Sequence, residues 1–256
     1  MPTTAAHPRM ALLRPLLLLA CLMLAVAALH MSSLSLPISL LSADYLGALP
    51  SGTTSTADSL LFEMETEPVS QGEIPDKWHR VKADIAGELD ALRHCLDAGL
   101  CPPAAQRLLD ISAAGAGRSG RARVGLINRA VDTAISPASD ERQWGVADRW
   151  STPFETLRSS RGDCEDYAIL KYAALLVAGV PAADVKIVIL KHLLPREDHA
   201  AVAARVDGEW LILDNLTLTL VRDVDLARSI PEFVLDQDGA RRFLWTGRSR
   251  PSTGAG

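Results

Sequence analysis

The run Arg161-Gly162-Asp163-Cys164-Glu165-Asp166-Tyr167-Ala168-Ile169, continuing to Gly179 and Pro181, decides the fold. It reads as the start of a buried helix. Asp163 is a favoured N-cap residue, and Glu165 and Asp166 suit the positive end of a helix dipole. Ile169, Tyr172, Leu176 and the neighbouring alanines supply an apolar face, and Gly179 followed by Pro181 ends the element. A helix this apolar belongs at the centre of a core. The thiol at its start stands in opposed fields: nearby carboxylates raise a thiol's pKa, whereas a helix N-terminus lowers it.

Strand signals follow the helix. Residues 185–190 (VKIVIL) are β-branched and mostly apolar, and a polar loop containing Pro195 leads to His199. Stretches 200–206 and 209–213 flank Asp207-Gly208, a two-residue hairpin signal. Further short strands are expected at 216–221 and 242–245. Upstream, Trp78, Val81, Ile85, Leu89 and Leu92 recur at helical spacing in a helix that stops near Gly99. A second helix follows Pro102-Pro103, residues 115–120 form a loop, and a third helix carries Val124, Ile127, Val131 and Ile135. Residues 144–153 read as an irregular loop bearing aromatics. Helices first and antiparallel strands afterwards indicate an α+β domain.

The chain has 256 residues and a formal net charge of −5, with no Lys/Arg run interleaved with aromatics, which argues against nucleic acid as a partner. His7, Arg9 and Arg14 precede an apolar run at 16–29 that ends in small residues, the pattern of a secretory signal peptide or a retained membrane anchor. The expected division is a signal or anchor at 1–30, a linker or leader at 31–75, the domain at 76–247 and a disordered tail at 248–256. Export leaves Cys95, Cys101 and Cys164, an odd number for an oxidising compartment. Cys95 and Cys101 either close a small loop around Gly99 or stay reduced; in both cases Cys164 is the thiol left free. A zinc site is disfavoured, because no Cys-x-x-Cys pair occurs.

If Asp207-Gly208 is a two-residue turn, Val206 faces Glu209 and Ala201 faces Asp214. His199 and Asp214 then share a face as diagonal neighbours, about 7–8 Å apart at the backbone. An imidazole and a carboxylate can meet there. With Cys164 they supply the parts of a triad: a thiolate to attack a carbonyl, a base to hold its proton, and a carboxylate to orient the imidazole. Backbone N–H groups at the helix start are ready donors for an oxyanion. Trp144, Trp150 and Asn128 are candidates for a second donor. His192 is a competing base, and His79 and His94 read as surface or packing residues.

Trp144-Gly145, Asp148-Arg149-Trp150, Pro153, Glu155, Gly162-Asp163-Cys164-Glu165-Asp166-Tyr167-Ala168, Lys171-Tyr172, His199-Ala200 and Leu213-Asp214-Asn215 together resemble the bacterial transglutaminase-like cysteine peptidases of the LapG type. The resemblance spans roughly 76–245. It implies a papain/transglutaminase-like fold, with the nucleophile at the N-terminus of a central helix packed on an antiparallel β-sheet, and a Cys164–His199–Asp214 triad. It also implies a periplasmic, calcium-dependent endopeptidase that clips a large surface adhesin. An inner-membrane cyclic-di-GMP receptor would sequester the protease and so control biofilm attachment. The resemblance carries metal binding onto Asp163 and Glu165; Asp166 adds a third hard oxygen in the same turn. The chain departs from the family pattern at Ile135-Ser136-Pro137-Ala138, and the region before Arg118 matches weakly. Another acyl transferase or amidase of this fold, or a non-catalytic calcium-dependent binding module, are the competing readings.

Overall fold

Ten consecutive residues of the central helix, 166–175, are buried. This helix, α6 (Cys164–Val177), is buried on all sides, Asp166 and Lys171 included, and is therefore enclosed rather than laid on a surface. The computed structural model describes residues 60–245. In chain order its other elements are β1 (Thr66–Val69), α1 (Glu73–Asp97), α2 (Pro103–Ala113), α3 (Gly120–Ala134), β2 (Ser136–Pro137), α4 (Asp140–Trp144), α5 (Pro153–Ser159) and β3 (Arg161–Gly162), all before α6. After it come β4 (Val185–His192), β5 (Asp198–Val206), β6 (Glu209–Leu213), β7 (Val221–Arg222), β8 (Ser229–Asp236) and β9 (Gly239–Phe243). The architecture is α+β, as expected.

The main sheet runs β1-β9-β8-β4-β5-β6-β7, with every neighbouring pair antiparallel. Helix α6 packs on β4 and β5, with α2, α3 and α5 around it. The 207–208 turn has φ of 52° at Asp207 and 86° at Gly208, the positive pair that a type I′ hairpin requires. Its ladder runs from Val206↔Glu209 to Val202↔Leu213, the expected register.

Both faces of the sheet are covered. Ile187, Ala200, Val202, Leu211 and Leu235 join the core with the helices, whereas Val188, Leu190, Trp210, Ile212 and Phe243 join a second core with Leu61 and Met64. That explains the near-continuous apolar run in β4. It also corrects the expected boundary, because 60–75 is not linker. Leu61 and Met64 cover the second face, and β1 pairs with β9, Thr66 opposite Phe243. The expected segments 1–30 and 248–256 lie outside the described residues. Among the described residues, no helix is long and apolar enough to cross a membrane.

Three further differences have local causes. The expected strand at 216–221 shrinks to β7, because Asp214 Oδ1 accepts the Leu216 N–H and Thr217 Oγ1 accepts the Thr219 N–H, folding the chain into turns. Strand β8 was not foreseen. Pro231 lies within it, and the register shifts there, with Ile189 opposite Phe233 but Leu190 opposite Pro231. A bulge at a proline interrupts the alternation by which strands are recognised. Helix α5 is set by a capping box at Thr152 and Glu155 and by Glu88 of α1, which accepts from the Phe154 N–H at 2.9 Å.

Cys95 and Cys101 form a disulfide, and Cys164 is the free cysteine among the described residues.

Candidate active site

The short parallel pair β2–β3 builds one side of the site. Ser136 lies opposite Arg161 and Pro137 opposite Gly162, and the Ala138 N–H donates to Gly162 O at 2.9 Å. This brings Asp140, at the start of α4, beside Asp163 although 23 residues separate them. Asp163 occupies the N-cap position of α6, but its side chain caps nothing there. Instead Oδ2 accepts the Asp140 N–H at 3.2 Å, and Oδ1 is buried without a hydrogen-bond partner. The expected capping role is thus not made, and the carboxylate is left for other work.

Asp140, Asp163 and Glu165 each offer an oxygen within 4.8 Å of the others. Burial raises the pKa of all three, and the Asp163 charge adds to the shift at Glu165 and at Asp140. Three desolvated carboxylates with an orphaned oxygen are short of positive charge, and such a set of hard oxygens suits a cation of the calcium kind. The donor set fits the expected ion.

Asp166 stands outside this group. It is fully buried, and its Oδ1 accepts the Ser151 N–H at 2.8 Å, pinning the loop before α5. Burial pushes its carboxyl up to about 7, against the Ser151 bond and with the Asp163 and Asp140 charges adding. Asp140, rather than the expected Asp166, is the third carboxylate grouped with Asp163 and Glu165, and Asp166 Oδ2 is also buried without a hydrogen-bond partner. Nothing in the local motif points to Asp140; only the β2–β3 pairing does. The Asp140 carboxylate also accepts the Arg149 N–H, so the acidic turn and the loop following α4 are tied together.

Gly162 shows how closely this turn is built. A Cβ there would lie 2.5 Å from Asp166 Cβ and 2.6 Å from its Oδ2. Gly162→Ala is expected to cost about 1–3 kcal/mol, read as a lowered melting temperature. Wild-type stability would show that the turn has room to yield.

On the other side of the site, His199 is the second residue of β5, and Asp214 directly follows the end of β6. His199 Nε2 and Asp214 Oδ1 are 2.9 Å apart, and both residues are buried. The diagonal pairing expected from the hairpin register places this contact. Burial would raise the Asp214 carboxyl, but the hydrogen bond and charge of His199, the Leu216 N–H and the charge of Lys171 outweigh it and hold the group below the usual carboxylate range. His192 does not compete for Asp214. Its ring lies against that of His199, centroids 4.5 Å apart, and burial and the His199 charge lower its pKa.

Cys164 sits between these two halves. Its thiol donates to Glu165 Oε2 at 3.2 Å, and no hydrogen bond joins it to His199. Burial drives the thiol pKa well up, the Glu165 charge adds to this, and the Ala200 N–H opposes it. The depth of the site and then the charges of Glu165 and Asp163 thus disfavour the thiolate, in the direction expected from the sequence.

Of the three possible second oxyanion donors, Asn128 is excluded by position. Ile135 O accepts from Tyr167, Asp132 pairs with Lys171, and Arg123 Nη2 reaches the neighbourhood of Gly179, so α3 and α6 run antiparallel. Asn128 therefore lies beside about residue 175, roughly 16 Å along α6 from Cys164. Trp144 has a buried indole N–H without a partner, its ring covered by the Arg149 guanidinium at 4.1 Å. Trp150 packs against the main core.

A free thiol opening a buried helix against an antiparallel sheet that bears a His–Asp pair places the molecule among proteins of papain/transglutaminase-like architecture. More narrowly, the chain belongs to the family of bacterial transglutaminase-like cysteine proteinases, which matches residues 109–246, more than half of its length. It is a cysteine peptidase, hence a hydrolase. The EGTA-treated LapG of Legionella pneumophila is similar in fold, with TM-score 0.50 and 20% identity over 61% of this chain and 85% of that one. The calcium-bound LapG of the same organism gives TM-score 0.49 and 21% identity over 64% of this chain and 91% of that one. No curated protein matches the chain.

Proposed function

We infer that the protein is a calcium-dependent endopeptidase whose nucleophile is Cys164, whose base is His199 and whose orienting carboxylate is Asp214. The observation that carries this reading is the buried His199–Asp214 contact at 2.9 Å, next in sequence to Ala200, whose N–H faces the Cys164 thiol. Asp214 occupies Nε2, which leaves Nδ1 to exchange a proton with Cys164. In the reaction the thiol proton passes to Nδ1 and the sulfur attacks the peptide carbonyl carbon. N–H groups at the start of α6 receive the oxyanion. His199 then gives its proton to the departing amine, and in the second half it takes a proton from the water that releases the acyl group.

Asp140, Asp163 and Glu165 would hold the ion. Bound there, calcium would supply the positive charge that three buried carboxylates lack. A Glu165 carboxylate engaged elsewhere no longer accepts the Cys164 proton, and His199 is then the base that remains.

The reading extends to an exported protein of the periplasm, which the Cys95–Cys101 disulfide favours. It extends by family resemblance to a large surface adhesin as substrate and an inner-membrane cyclic-di-GMP receptor as partner. The test offers a recombinant adhesin N-terminal fragment together with a fluorescent primary amine, in calcium. Two fragments without label are the expected products. An amine conjugate without cleavage would make the protein a transferase and overturn the peptidase reading.

A further inference from the structure

The mechanism above gives no task to His192, the last residue of β4. The β4–β5 ladder places Leu190 opposite His199 and Lys191 opposite Asp198, so His192 and His199 are diagonal neighbours on one face. Their rings meet, centroids 4.5 Å apart and planes tilted by 38°. The backbone at His192 is fixed on both sides. Its N–H donates to Glu197 O at 2.9 Å, and the Leu193 N–H donates to Arg228 O at 2.9 Å. The His199 ring needs such a wall. Its one hydrogen bond, to Asp214 Oδ1, fixes Nε2 but leaves the ring free to turn about that contact, and the turn sets where Nδ1 points.

We propose that His192 is a positioning residue for the reaction: its neutral ring backs the His199 imidazole, and its protonation disfavours the His199 imidazolium. This rests on the triad reading. A phenylalanine would wall the ring equally well; an imidazole, half-buried here, adds a charge that appears in acid. The charged groups around His192 are His199 and Asp198 of β5, Glu197 of the loop before it, Asp214 after β6, Lys191 of β4 and Arg228 before β8. Lys191 and Asp198 pair with each other. Burial and the His199 charge outweigh Asp214 and Glu197 and lower the His192 pKa, so the ring is neutral at about pH 8. In acid it charges one ring away from where His199 must carry a proton, and like charges that close oppose each other.

The test follows iodoacetamide alkylation of Cys164 in the full chain, in excess calcium, from about pH 8 to about pH 5.5. Each variant rate is divided by the wild-type rate at the same pH, which cancels the titration of the carboxylates beside Cys164 that all variants share. At about pH 8, His192→Ala is expected to be about tenfold slow, because the His199 ring loses its wall. His192→Phe restores the wall and is expected within about threefold of wild type. Towards about pH 5.5 the His192→Phe ratio is expected to rise about fivefold, since only the wild type gains the opposing charge. In a His199→Ala background, His192→Ala is expected to slow alkylation no further, since His192 acts through that ring. Wild-type alkylation by His192→Ala at about pH 8, or a His192→Phe ratio that does not change with pH, would overturn the proposal and leave the triad standing. Wild-type alkylation in His199→Ala itself is the separate result that would overturn the triad.

Discussion

Cys164→Ala is expected to remove proteolysis, by at least about 10⁴-fold, while leaving calcium binding in place. The two halves of this expectation come from different atoms. The sulfur is the only group at the start of α6 able to form an acyl intermediate, and neither His199 nor Asp214 can replace it. Asp140 and Asp163 are brought together by the β2–β3 pairing and by the Asp140 N–H, with Glu165 in the same turn; the thiol touches this group only through its hydrogen bond to Glu165 Oε2, whose loss in the variant leaves all three carboxylates in place. Calcium should therefore still raise the melting temperature of the variant, as expected for a ligand that binds the folded state. Substantial cleavage by Cys164→Ala would refute the nucleophile assignment.

The second large effect is expected from Asp163→Ala combined with Glu165→Ala. Two of the three clustered carboxylates disappear, and so does the Asp163 bond that anchors α4 to the turn presenting Cys164. Activity in calcium should fall by about 10- to 100-fold or more, the usual cost of removing groups that hold a site in place. Calcium should no longer raise the melting temperature. In the absence of calcium, the variant should melt at or above the wild-type temperature, because burial and the Asp163–Glu165 repulsion no longer oppose folding. A normal calcium-induced rise in the variant would place the ion elsewhere.

The parts of this site that were legible in the sequence are those fixed by local rules. Asp207-Gly208 sets a type I′ turn, the turn sets the register, and the register brings His199 to Asp214. The run from Gly162 to Pro181 declares a buried helix with a thiol at its start. What could not be read depends on non-local pairing. Asp140 reaches Asp163 only because two-residue strands pair across 23 intervening residues, and strands that short have no periodicity to detect. Asp166 looked equivalent to its neighbours, but one more step along α6 turns it inward to Ser151. Strand β8 was hidden by Pro231 and its bulge, and β1 by a composition that resembled linker until its partner β9 was in place.

The carboxylates beside Cys164 are expected to make its reactivity depend on calcium. The most direct measurement is the rate of Cys164 alkylation by iodoacetamide in the wild-type chain, in excess calcium and in excess EGTA, with His199→Ala alongside. Alkylation is expected to be fast in calcium, slow in EGTA, and slow under both conditions when His199 is replaced. Equal rates for the wild-type chain in calcium and EGTA would contradict that expectation.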